Sequence, residues 1–121
     1  MMSKAVAWAL FILGLVHIVF GVLRFQAPLL DAVAAGFVGQ FNDPPVRRTA
    51  FWFIMCGPLL MVAGHLAIRS VAAGDFAALK IIGIYGLVAS VVGIAAFPMS
   101  PLWLLFGLSL FLIGAGYNWF R

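Results

Sequence analysis

The chain has 121 residues, of which 66% are hydrophobic and 8% are charged, and its formal net charge is +4. That length allows one domain, over residues 1–121. A soluble domain of this size needs far more charge to cover its surface, so we expect lipid to solvate much of the chain. The basic residues form no stripe interleaved with aromatic residues, which excludes a nucleic-acid-binding surface.

Four apolar runs are each predicted to form a transmembrane helix, because about 20 helical residues cross roughly 30 Å of hydrocarbon. They cover residues 5–23, 49–68, 76–97 and 102–120. The first run is longer than the roughly 7–15 apolar residues of a signal peptide, so we interpret it as a span. The turn between the last two runs is so short that these helices must be antiparallel neighbours.

The sequence also predicts where the last two helices begin. Asp75 is typical of an N-cap residue and precedes the third run. Ser100 is a good N-cap for the fourth run, and Pro101 suits its first helical position.

The segment between the first two runs is too apolar for a flexible linker. Pro28 suits a helix start, and apolar residues then recur at helical spacing as far as Phe41. A helix over 28–41 cannot span a bilayer, so we predict an interfacial helix, which Gly36 and Gly39 weaken. The expected fold is all-α, a polytopic transmembrane four-helix bundle with a short interfacial helix between the first and second spans.

Each run carries two glycines seven residues apart, which lie on one helix face two turns apart. Such small-residue faces let helix backbones approach closely in lipid. We therefore predict that all eight glycines pack helices together. They are Gly14 and Gly21, Gly57 and Gly64, Gly86 and Gly93, and Gly107 and Gly114.

The distribution of basic residues favours a cytoplasmic N-terminus and C-terminus. In that orientation the inner side holds Lys4, Arg69, Lys80 and Arg121, and the outer side holds Arg24, Arg47 and Arg48. Because the two sides differ by only one basic residue, the alternative is that the protein inserts in both orientations and forms antiparallel dimers.

Two histidines within the spans are the first candidates for function, because ionisable residues at membrane depth are rare. His17 shares a helix face with Gly14 and should point into the bundle, whereas His65 lies nearer one end of its span. Each could hydrogen-bond a neighbouring helix, or it could ligate a metal or haem or transfer a proton. A haem b on His17 is the cofactor alternative, and the metal is unknown.

Three other residues, Cys56, Tyr85 and Arg24, complete the set of ligand or cofactor candidates. Cys56 lies at nearly the depth of His17, and a Cys–His pair could activate a thiolate, although two ligands make a poor metal site. Tyr85 belongs to an aromatic belt or contacts a ligand. Arg24, with Arg47, flanks an outer loop in which Asp31 could form a tethering ion pair.

Several motifs are absent. The chain has no glutamate and no aspartate within a predicted span, which disfavours a proton-coupled exporter. It has no phosphate-binding glycine loop, no HExxH and no paired carboxylates, so we lean against an enzyme and predict no catalytic residue.

Two motifs resemble a family of small bacterial four-helix membrane proteins without an assigned function. The first runs from Gly14 through His17 and Gly21 to Phe25 (GLVHIVFGVLRF), and the second is FWFIMCG over residues 51–57. The resemblance covers essentially the whole chain and implies a bacterial inner-membrane location. It implies no activity.

The leading functional hypothesis is a non-enzymatic multi-pass membrane protein, either an accessory subunit or a binder of a lipid or hydrophobic small molecule. The alternatives are a haem-binding or redox protein using His17, and an oligomeric small transporter. The expected partners are the lipid bilayer and a homo-oligomer or larger membrane complex.

Overall fold

The computed structural model describes residues 2–98 and 102–119. Within these ranges the protein is all-α, as predicted, with five helices and no strand. The helices are α1 (Met2–Arg24), α2 (Gln26–Ala34), α3 (Pro45–Ala73), α4 (Phe76–Ala96) and α5 (Leu102–Gly116).

Three of the described helices, α1, α3 and α4, are long and apolar enough to cross a membrane. Helix α5 is apolar but has 15 residues, about 22 Å of helix, which is less than the roughly 30 Å of hydrocarbon. The fourth predicted span, 102–120, is therefore longer than its helix. The predicted caps Ser100 and Pro101 lie outside the described residues.

Helix α3 extends beyond the predicted span 49–68 at both ends. Charged side chains limit the part of a helix that can lie in hydrocarbon, but they do not end the helix itself. Proline favours the first helical position, and α3 begins at Pro45, one turn before the apolar run. At its other end it continues past Arg69 to Ala73.

Gly74 ends α3 in a left-handed conformation, with φ of +72°. The N–H of Asp75 donates to the carbonyl of Ser70 at 2.8 Å, and the N–H of Gly74 donates to that of Val71 at 3.2 Å. This pair of bonds is a Schellman motif. Asp75 then caps α4 as predicted, accepting from the N–H of Ala78 at 3.2 Å, so two residues connect the two helices.

The same motif shortens the predicted interfacial helix, and the prediction of helix over 28–41 was wrong at both ends. Gly36 has φ of +110°, the N–H of Phe37 donates to the carbonyl of Ala32, and that of Gly36 donates to Val33. Helix α2 therefore has nine residues, because glycine supplies a helix-ending conformation that apolar periodicity does not reveal.

Helix α5 ends in a third Schellman motif, in which asparagine takes the left-handed position. Asn118 has φ of 67°, the N–H of Trp119 donates to the carbonyl of Gly114, and the N–H of Asn118 donates to Ala115. Asparagine tolerates this conformation better than other residues with a side chain. The helix therefore stops at Gly116, four residues before the predicted end of the span.

The chain divides into two compact units. The first unit is Ile12–Met61, in which α1 and α3 are antiparallel. A Cβ built on Gly14 would lie 2.6 Å from Cγ of Met61, and one built on Gly21 would lie 2.8 Å from Cγ1 of Ile54.

The second unit comprises the described residues of 1–11 and 62–121. Here α4 and α5 are antiparallel neighbours, as predicted: Gly93 faces Leu102, and Gly116 faces Lys80. Its buried apolar side chains are Val6, Ala7, Leu10, Ala67, Leu79, Leu112 and Ala115.

Candidate functional site around His17

The backbones of α1 and α3 approach closely where Gly14 faces Gly57. A Cβ atom built on Gly14 would lie 2.7 Å from the carbonyl oxygen of Gly57, and one built on Gly57 would lie 2.9 Å from that of Gly14. These separations leave room for hydrogen but not for carbon, because backbone cannot yield as a flexible side chain can. Glycine at both positions therefore sets the distance between the two helices here.

His17 lies three residues after Gly14, on the same face of α1. Its imidazole stacks on the ring of Phe53, with centroids 4.1 Å apart and planes 15° from parallel. Phe20 and Phe25 also pack on Phe53, with centroid distances of 5.9 and 5.4 Å. We call these four residues the His17 cluster.

The Nε2 atom of His17 is buried and has no hydrogen-bond partner among the residues that the structure describes. The phenyl rings of the cluster cannot supply one, and an unpaired buried polar atom costs about 1–3 kcal/mol. Pro58 lies within α3 and has no N–H, so the carbonyl of Ile54 has no donor at the usual helical position. A water or a hydroxyl group could satisfy the unpaired nitrogen of His17.

The other predicted candidates on α3 and α4 are separate from the His17 cluster. Cys56 is a free, exposed thiol, and no hydrogen bond joins it to His17, so the predicted pair is not formed. His65 is exposed on α3, and Tyr85 is 76% exposed on α4. Within the described ranges, no group of three His, Cys, Asp or Glu residues could hold a metal ion.

Two arginines at the start of α3 bind the loop that precedes it. Arg47 donates from Nη1 to the carbonyl oxygen of Gln40 at 3.3 Å, to Oε1 of Gln40 at 3.4 Å and to the carbonyl oxygen of Asp43 at 3.4 Å. Arg48 donates from Nη2 to the carbonyl oxygen of Asn42 at 2.8 Å. The loop is therefore held to α3 through its carbonyl groups.

The ion pair predicted for Asp31 is not formed. Neither Arg24 nor Arg47 pairs with its carboxylate. The guanidinium carbon of Arg24 instead lies 6.0 Å from the centroid of the Phe25 ring. Arg47 does tether the loop to α3, but its acceptors are carbonyl oxygens of Gln40 and Asp43 and not the carboxylate of Asp31.

A second close contact joins α4 and α5 and includes two glycines that the seven-residue spacing does not predict. A Cβ on Gly83 would lie 2.9 Å from the carbonyl oxygen of Ser109, and one on Gly116 would lie 2.9 Å from that of Phe76. Gly86 faces the Oγ atom of Ser109, which is buried and has no hydrogen-bond partner within residues 2–98 and 102–119.

Gly107 packs against none of the described residues, contrary to the prediction for this position. A Cβ built there would meet no atom of the described residues within 4 Å. Gly107 lies two residues before Ser109, about 200° around the helix, and so faces away from α4. Gly114, its predicted partner, is buried.

The residues around Gly107 line a shallow apolar groove instead. Its volume is about 280 Å³, and its lining residues are Gly107, Leu110, Phe111 and Trp119. The sequence analysis did not predict this groove.

Sequence reasoning also missed Phe53, although one signal could have identified it. Phe53 lies four residues before Gly57, so the two share a face of α3. The face that meets Gly14 should therefore also meet the residue one turn further along α1, which is His17.

A family model described as a family of unknown function (DUF6463) matches residues 1–119. No curated protein and no solved structure matches the chain. The match confirms the resemblance to a family without an assigned function, and it carries no activity, ligand or location to this chain.

Proposed function

The chain belongs to the family of unknown function DUF6463, and from that premise we propose that it is a non-enzymatic, multi-pass membrane protein that binds lipid. In this proposal α1, α3 and α4 cross the bilayer, and α5 completes a four-helix bundle. The bacterial inner membrane is the proposed location, with both termini inside.

The exposed apolar surface of the long helices carries this proposal. Only 17–28% of the residues in their most apolar windows are buried. Leu23, Leu59 and Val92 are each about two-thirds exposed, at 66%, 69% and 65%. Burying apolar surface is worth about 25 cal/mol per Å², so such helices gain a large free energy from a lipid environment.

The spacing of charges supports the same proposal. Lys4 and Arg24 bracket the apolar part of α1, and Arg48 and Arg69 bracket that of α3. At ~1.5 Å per residue these pairs are about 30 and 32 Å apart along their helices. Both lengths match a hydrocarbon core of roughly 30 Å with the charged groups in the headgroup regions.

The glycine contacts support a binding or accessory role rather than catalysis. Gly14 against Gly57, and Gly83 against Ser109, bring backbones together and leave little space between the paired helices. The surface that remains for a ligand is the exposed apolar face, which suits acyl chains or the spans of a partner protein.

Membrane extraction followed by lipid analysis tests this function. The protein should stay in the membrane pellet after alkaline carbonate treatment and leave it in mild detergent. Native mass spectrometry should then show bound phospholipid. Release by carbonate would contradict the membrane placement, and a protein free of lipid under gentle detergent removal would contradict lipid binding.

A haem-binding role for His17 is the second candidate, and the unpaired Nε2 favours it. Against it, Nε2 is buried while the imidazole stacks on Phe53, so the iron of a large macrocycle could reach it only after the cluster opens. A visible absorption spectrum of the purified protein, recorded before and after reduction with dithionite, tests the haem-binding role. A Soret band lost in His17→Ala would establish the haem role, and a flat spectrum after expression with ample haem would remove it.

A further inference from the structure

The guanidinium groups of Arg47 and Arg48 have most of their donors unused. They lie over one stretch of loop, residues 40–43, yet within the described part of the chain Arg47 donates only from Nη1 and Arg48 only from Nη2. Each guanidinium carries five N–H groups. Neither Asp31 nor Asp43 forms an ion pair with them, so both positive charges lack an anionic partner among the described residues.

An exposed apolar face borders these charges. Trp52 lies one turn after Arg48 on the same face of α3 and is 62% exposed. Helices α1 and α3 are antiparallel, and Gly21 contacts Ile54. Arg24, one turn further along α1, therefore lies beside the end of α3 that carries Arg47 and Arg48. The side chain of Arg24 also forms no hydrogen bond or ion pair with the described residues.

Planar guanidinium groups match the oxygen atoms of a phosphate, which they can bind with two parallel hydrogen bonds. An indole side chain about 6 Å further along the helix is suited to the boundary between headgroups and acyl chains. A free phosphate ion would use the guanidinium groups alone. A phospholipid would use both the charges and the apolar face.

We propose that Arg47 and Arg48 bind the phosphodiester group of an anionic phospholipid whose acyl chains lie along the Trp52 face of α3. This site depends on the proposed membrane placement, and it adds to the proposed function the class of lipid that is bound. Arg47 also holds the loop, so it positions the site, whereas exposed Arg48 binds chiefly the headgroup.

Fluorescence quenching in proteoliposomes tests this site. Replacing Trp8, Trp103 and Trp119 by Phe leaves Trp52 as the sole indole. Brominated phosphatidylglycerol should quench it at lower mole fraction than brominated phosphatidylcholine. An arginine near a membrane surface contributes about fivefold to anionic-lipid binding, so Arg48→Gln should lower the preference about fivefold.

Arg69→Gln is the matched control, because it removes the same charge near the other end of α3 and should leave the preference at Trp52 unchanged. Equal quenching by both lipids in the parent protein, or an equal loss in Arg48→Gln and Arg69→Gln, would overturn the site while leaving the membrane placement intact. No quenching by either lipid would instead overturn the membrane placement. Reversal of the preference by millimolar inorganic phosphate would show an anion site and overturn the lipid assignment.

Discussion

The imidazole of His17 lies nearly parallel to the ring of Phe53, with centroids 4.1 Å apart, and its Nε2 atom is buried without a hydrogen-bond partner in the described part of the chain. Stacking accounts for the position of the ring, but it leaves one polar atom unsatisfied. The two roles of this histidine, packing and hydrogen bonding, can therefore be separated by substitution.

Replacement of His17 by Phe keeps an aromatic ring on Phe53 and removes the unpaired nitrogen. We expect the melting temperature in detergent to stay the same or rise, because an unsatisfied polar atom costs about 1–3 kcal/mol. His17→Ala removes the aromatic ring as well and should lower the melting temperature. A drop in His17→Phe as large as that in His17→Ala would mean that hydrogen bonding by the imidazole stabilises the purified protein. Exposed His65→Phe is the control.

Gly14 and Gly107 form a matched pair of substitutions with opposite expected signs. Gly14→Ala places a carbon against the backbone of Gly57 and should destabilise by roughly 1–3 kcal/mol, as overpacking does. Gly107→Ala meets open space in a helix, where alanine is favoured over glycine by about 0.5–1 kcal/mol. Thermal unfolding in one detergent measures both. Equal melting temperatures for the two variants would contradict the close contact between α1 and α3.

Ser109 and Ser90 are both fully buried, but their hydroxyl groups differ. Oγ of Ser90 donates to the carbonyl of Leu87 at 2.9 Å, whereas Oγ of Ser109 has no hydrogen-bond partner among the described residues. We expect Ser109→Ala to be neutral or stabilising, and Ser90→Ala to lower stability by about 0.5–1.5 kcal/mol. A loss in Ser109→Ala that matches Ser90→Ala would show that the Ser109 hydroxyl is satisfied by water or lipid.

Helix type and the α3–α4 turn could be predicted because they depend on local chemistry. Apolar runs separated by charges specify helices in lipid, and Asp75 is a side-chain cap that sequence displays directly. The ends of α2 and α5 depend on left-handed residues at Gly36 and Asn118, and such residues are common in turns of many kinds.

The packing faces were harder to predict than the helices. A seven-residue glycine spacing marks one side of a helix but does not say which side meets a neighbour. Gly107 and Ser109 show this, since Ser109 meets α4 and Gly107 does not. The face is selected by the partner helix, whose position is tertiary information. The stacking of His17 on Phe53 depends on the same information.

The cap at Asp75 gives a further test. Asp75→Ala removes the acceptor for the N–H of Ala78 and should cost about 1 kcal/mol, whereas Asp75→Asn keeps an oxygen and should cost less. Circular dichroism melts in detergent compare the two variants with the parent protein. Equal losses in both would indicate that charge, rather than the hydrogen bond, stabilises the start of α4.

The membrane placement is tested most directly at Cys56, the one cysteine in the chain and an exposed thiol. Eight residues separate it from Arg48 and thirteen from Arg69 along α3, so it should lie about 12 Å inside the nearer boundary. A nitroxide attached to Cys56 in proteoliposomes should be relaxed strongly by oxygen and weakly by a water-soluble nickel chelate. A label at Arg48→Cys, in a Cys56→Ala protein, should show the reverse. Strong relaxation of the Cys56 label by the nickel chelate would contradict a transmembrane α3.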